Sequence, residues 1–179
     1  MGAPSARALP SEVILGFDKL LAFPNPVNEV SARLVAGGVV LLTVTAIVTG
    51  QLWITVLIAY GFVARVLAGP TLSPLGLLVT KVITPRLPVA PRYVPGPPKR
   101  FAQGIGAVIS IAAAVLTLAL QMNAAAYAFL GILIAAATLE AVFAFCVGCW
   151  AFGFLMRVGL IPDAVCKQCS DVSARPVHP

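Results

Sequence analysis

The chain has 179 residues, of which 60% are hydrophobic and 10% charged, and its mean hydropathy is +1.00. Soluble domains carry about 25% charged residues, so a water-soluble globule is excluded and an all-α integral membrane protein is expected. The net charge of +6 would suit nucleic acid, but its distribution along the chain points to a membrane surface instead.

Residues 11–22, SEVILGFDKLLA, set Val13, Ile14, Phe17, Leu20 and Leu21 at helical spacing. This predicts a short helix lying on the bilayer surface. Pro24 and Pro26 then forbid regular helix. Asn28 can cap the first span by accepting from the N–H of Val30 or Ser31, and Glu29 suits the dipole of its first turn.

Residues 34–64 contain no charge. A span needs about 20 apolar residues, so this run holds two, broken at Thr49-Gly50-Gln51. The first span is predicted over 33–49 and the second over 52–68. Next, Ser73 and Pro74 cap and start a helix over 70–84. Leu75, Leu78, Val79, Val82 and Ile83 would form its membrane-facing side. Residues 85–98 contain six prolines and read as an extended connector. Arg86, Arg92, Lys99 and Arg100 would sit near anionic head groups.

Residues 101–139 are again uncharged and break at Gln121-Met122-Asn123. A third span over 101–121 and a fourth from Ala124 follow. Both are rich in small residues, which let helices approach closely in lipid, so a tight antiparallel pair is expected. Packing within the chain is the leading use of Gly104 and Gly106, with contact to a second subunit, and so a homo-oligomer, as the alternative. The organisation is therefore an N-terminal segment (1–32), a hairpin (33–68), an amphipathic and Pro-rich loop (69–100), a second hairpin (101–158) and a tail (159–179).

On this plan all twelve Lys and Arg residues fall on one face. Cytoplasmic loops are enriched in these residues, which predicts a multi-pass cell-membrane protein with both termini cytoplasmic. The rule accounts for every basic residue, leaving none to imply nucleic acid.

Glu140 is the only acid inside an apolar run. It falls roughly 24 Å along the fourth span, in the cytoplasmic half of a core about 30 Å thick. An acid there must be paired, protonated or in contact with water. It is a candidate proton-moving residue, or else a structural group bonded to Gln103, Ser110 or Asn28.

All four cysteines follow, as Cys146/Cys149 and Cys166/Cys169, two C-x-x-C pairs 16 residues apart. If the fourth span runs straight, the first pair lies at its inner end, and Gly148 and Gly153 allow a bend. Cytosolic thiols stay reduced, so a permanent disulfide is not expected. The four-thiol spacing fits a structural zinc site. The pairs also fit thiol exchange or sulfur carriage, because a C-x-x-C pair lowers the pKa of its first thiol and thiolates attack disulfides. A third reading takes them as small buried hydrophobes.

The stretches FPNPVNEVSARLVAGG (23–38), SPLG (73–76), GPPKRFAQGIG (96–106) and LEAVFAFCVGCWAF (139–152), with the tail C-x-x-C, resemble the membrane family called domain of unknown function 4395. The resemblance spans residues 22–169. It implies four membrane helices with a cysteine pair on the last, and partners of the thioredoxin-like or sulfurtransferase kind besides membrane lipid. The leading expectation is an integral membrane thiol-redox or sulfur-handling protein. Cys146, Cys149 and Glu140 are its candidate catalytic residues, Cys166/Cys169 the exchange partner, and no cofactor is required. The alternatives are a non-catalytic protein with a four-cysteine zinc site, and a small transporter subunit with Glu140 on its path.

Overall fold

The first long helix begins where its cap predicts: Asn28 Oδ1 accepts from the Val30 N–H at 3.0 Å. In the computed structural model, which describes residues 23–161, this helix is α1 (Glu29–Thr49). It starts ahead of the expected residue 33 because the cap, not the first charge, sets its boundary, so Arg33 lies inside it. Gly50 ends it in the left-handed region, φ 67°, which glycine adopts without strain. The surface helix expected over 11–22, and the tail with Cys166 and Cys169, lie outside the described residues.

The connector is more ordered than its prolines suggest. Val27–Asn28 (β1) pairs antiparallel with Tyr93–Val94 (β2), and the Glu29 N–H donates to Arg92 O at 2.7 Å. Asn25 Oδ1 accepts from the Gly96 N–H at 3.1 Å. A side chain on Gly96 would meet Pro24 O, and one on Gly69 would meet the Pro24 ring. The FPNP stretch is thus wedged between the end of α2 (Ile54–Ala68) and the start of the helix that opens at Gly96.

Ser73 and Pro74 do start a helix. α3 (Pro74–Leu77) is capped by Ser73 Oγ accepting from the Gly76 N–H. It continues as a wider π turn over Leu78–Ile83 and a 3₁₀ turn over Thr84–Arg86. It does not lie free on the surface. Val79 is buried, Leu75 fills the space left by Gly38, and Ser31 Oγ is 3.0 Å from Thr84 Oγ1. The predicted apolar side is split, with Val79 buried and Leu78 and Val82 exposed.

α4 (Gly96–Leu118) also starts early. Pro97 and Pro98 occupy its first turn, where no backbone donor is needed. Lys99 is consequently helical and buried rather than at the head groups. α5 (Asn123–Phe143) and α6 (Val147–Arg157) complete the chain. The fourth span is therefore not straight. It stops at Ala144, whose φ is 56°, instead of bending at Gly148 or Gly153.

α2 packs along α4, α1 along α5, and α4 along α5. The core joins Val39, Ile58, Phe62, Ala107, Leu133 and Ala137. Gly106 faces the Phe62 ring with no room for a Cβ, whereas Gly104 meets nothing. Leu41, Val48, Val108 and Val142 are exposed, the outward apolar surface that lipid accepts. The buried hydroxyls of Thr43 and Ser110 bond within their own helices, to Val39 O and Gly106 O, both at 2.7 Å. This satisfies them without water. Among the described residues, four helical stretches, Glu29–Thr49, Ile54–Arg86, Gly96–Leu118 and Asn123–Phe143, are long and apolar enough to cross a membrane.

Candidate functional site

The break after α5 builds the site. Ala144 turns the chain, and Cys146 becomes the capping residue of α6 rather than a residue on the fourth span. Its Sγ accepts from the Cys149 N–H at 3.3 Å. The Cys149 thiol donates to the same sulfur at 2.6 Å. Both cysteines are reduced and half-buried.

Two donors at one sulfur, at the positive end of a helix, favour the thiolate. The hydrogen bond from Cys149, aided by the Lys99 ammonium, pulls the Cys146 thiol below its ordinary range, against burial and the Glu140 carboxylate. The Cys149 thiol is pushed up strongly, because giving up its proton would cost that hydrogen bond, and burial adds to this. The pair is therefore asymmetric, with Cys146 the more acidic thiol and Cys149 the proton holder.

α6 is anchored so that this cap faces inward. Gly148 lies against Ala102 of α4 with no space for a side chain, and Phe152 stacks at a tilt on Phe101, centroids 5.5 Å apart. Arg33 of α1 reaches the end of α5, donating to Ala141 O at 3.0 and 3.1 Å and to Val142 O at 2.9 Å. A basic side chain on the last carbonyls of a helix both satisfies them and opposes the dipole.

Glu140 has none of the three expected partners. Its Oε1 lies 2.6 Å from Lys99 Nζ, both side chains being mostly buried. Ser110 is committed to its own helix and Asn28 to capping α1. Gln103 serves Arg65 instead, accepting from Nε at 2.8 Å. Arg65 Nη1 donates to the buried Ser73 Oγ at 3.0 Å, and the guanidinium lies 4.5 Å from the Phe62 ring centre. Gly61 leaves it room, since a Cβ there would come within 3.2 Å of Nη1.

A cavity of about 190 Å³ lies between the helices, and Arg65, Gln103, Glu140 and Cys146 supply most of its polar lining. Glu140 and Cys146 stand out in the sequence, whereas Arg65 and Lys99 read there only as basic residues at the ends of the second and third spans or between them. The missed signal for Arg65 was its place inside a predicted span, which already makes an ionisable residue suspect. Lys99 had no such signal, because it sits among prolines.

The four-thiol zinc set cannot be assembled from Cys146 and Cys149 alone, and its other half lies outside the described residues. Among the described residues no group of three or more His, Cys, Asp or Glu side chains could hold a metal.

Residues 27–157 match one family model, described as a domain of unknown function (DUF4395). The match includes Cys146, Cys149, Glu140, Lys99 and Arg65 and ends before Cys166. No curated protein and no solved structure matches the chain.

Proposed function

The chain belongs to DUF4395, a family of unknown function, and we propose that it is a membrane thiol-redox or sulfur-handling protein acting through Cys146 and Cys149. One observation carries the reading: Cys146 Sγ takes two hydrogen bonds from Cys149 at the head of α6 while lining an internal cavity. A merely structural cysteine needs neither.

In exchange, the Cys146 thiolate attacks a sulfur of a partner's disulfide. A mixed disulfide forms and the partner's second sulfur leaves as thiolate. Cys149, once deprotonated, attacks Cys146 Sγ, closing the intramolecular disulfide and releasing the partner's first sulfur. Two electrons pass from the pair to the partner, and the reverse reaction reduces the pair. The tail pair Cys166/Cys169, or a thioredoxin-like or sulfurtransferase protein, is the proposed partner. Lys99, paired to Glu140, supports the thiolate electrostatically, giving Glu140 a positioning role.

The basic residues support an orientation with both termini and the 69–100 connector in the cytoplasm. A membrane-impermeant thiol reagent applied from outside should then label a cysteine introduced at Gln51 and spare one at Arg92.

The function is tested with Cys149→Ala protein purified in detergent. It should trap a stable mixed disulfide at Cys146 with an added disulfide, where the unsubstituted protein resolves it. Absence of any adduct at Cys146 would remove the proposal. Metal analysis on the same sample separates the zinc alternative, which demands about one zinc per chain and blocked thiols.

A further inference from the structure

Among the described residues, Arg65 is the buried cation outside any ion pair. It is 5% exposed, and its Nη2 makes no hydrogen bond. The other two nitrogens are held by neutral groups, Gln103 and Ser73. Glu140 is the nearby acid, but its Oε1 is in direct contact with Lys99. Lys99 and Glu140 cancel, and the Cys146 thiolate lines the same cavity, but Arg65 Nη2 is still a buried donor with no acceptor. A buried donor left unsatisfied is costly, so Nη2 is open to an acceptor oxygen that the site does not itself contain.

Where that group would lie is set by two cavities that share Arg65 and Gln103. One, about 190 Å³, holds Cys146 and Glu140. The other, about 230 Å³, lies under the FPNP wedge and is lined by polar Asn28, Ser31, Thr80 and Lys99. The second gives a polar approach to Arg65, and the first presents what Arg65 holds to the nucleophilic sulfur. A cavity of ~150 Å³ admits a benzene ring, so a sulfate-sized anion fits beside Cys146.

We propose that Arg65 and Gln103 form the binding site of a small sulfur oxyanion, held within the cavity that Cys146 lines. Its substrate class is a thiosulfonate such as thiosulfate, and in that respect it rests on the thiol reading above. The Cys146 thiolate attacks the outer sulfur, and the new Sγ–S bond forms with the thiolate pair. The S–S bond of thiosulfate breaks, and sulfite leaves with its electrons. One thiolate and one dianion become one persulfide anion and one dianion, so no oxidant or reductant is needed. Arg65 holds the sulfonate oxygens before and after the transfer.

The test uses the full chain in detergent at low chloride. Calorimetry with sulfate, which has no transferable sulfur, should give binding that is weakened at least about tenfold by Arg65→Gln and kept by Cys146→Ser. Equal binding by Arg65→Gln protein, or none by the unsubstituted protein, overturns the site. Should Arg65→Gln fail to fold, the unsubstituted protein still decides. Cys146 should be alkylated faster by iodoacetate than by neutral iodoacetamide, and sulfate should protect it. Faster neutral alkylation without sulfate protection overturns the site. Thiosulfate should leave Cys146 heavier by one sulfur atom in mass spectrometry. If sulfate binds but that sulfur is absent, the anion site stands and the sulfur-transfer step falls.

Discussion

At the scale of residues, the cysteine pair makes a prediction with a sign. The thiolate is the reacting form, so alkylation of Cys146 rises as pH climbs through its own pKa. That pKa is lowered by Cys149 and Lys99. The rise should therefore fall below the ordinary thiol range of about 8.5, with Cys149 unreactive over the same interval. Cys149→Ala removes the donor and should move the Cys146 profile to higher pH, measured by rate of alkylation followed by mass spectrometry. Lys99 and Glu140 make a second prediction. Removing one partner of a buried ion pair strands the other, at a cost of about 3–5 kcal/mol. Glu140→Gln or Lys99→Met should each lower the unfolding temperature in detergent markedly, and the double variant Lys99→Met/Glu140→Leu should recover most of the loss. If both single variants melt with the parent, the pair is not the stabilising contact its 2.6 Å separation implies. Glu140 was legible in the sequence because an acid in an apolar run has to be explained. Its partner was not, because Lys99 follows three prolines in five residues and reads as loop until those prolines are seen to start a helix.

Helices raise a different set of expectations. Gly106 and Gly104 look alike in AQGIG, yet only Gly106 faces the Phe62 ring. Gly106→Val should destabilise by about 1–3 kcal/mol through overpacking, while Gly104→Ala should be neutral or better, compared by thermal unfolding in one detergent. The joint between α5 and α6 rests on Ala144 at φ 56°. A non-glycine residue there costs about 1–2 kcal/mol. Ala144→Gly should therefore raise stability without disturbing the thiols, and an unchanged or lower melting point would count against that strain. The spans were readable because uncharged runs and their polar breaks are properties of sequence alone. The joint was not, because alanine in LEAVFAFC carries no turn signal. The chain stops there because Arg33, 108 residues away, holds the freed carbonyls and because Gly148 docks on Ala102.

At the scale of the whole molecule, the two hairpins do not pack as separate units. α1 lies on α5 and α2 on α4, so each hairpin supplies half of each interface. The connector around Val89 is exposed and crosses no packed core. A chain divided there into residues 1–89 and 90–179, co-expressed, should copurify and keep the low-pH alkylation of Cys146. Halves that separate would show that the connector, rather than helix packing, holds the hairpins together. Arg33 grips a part of the chain made long after it, and this orders biosynthesis. When the first hairpin has been made, Arg65 is already part of α2, but Gln103 has yet to be translated. Lys99 then waits for Glu140, and the carbonyls that Arg33 will hold come just after Glu140. The nascent protein thus carries unmatched charge through most of its insertion, and the Cys146 sulfur emerges from the ribosome after Arg65, Lys99, Gln103 and Glu140, with Cys149 following three residues later.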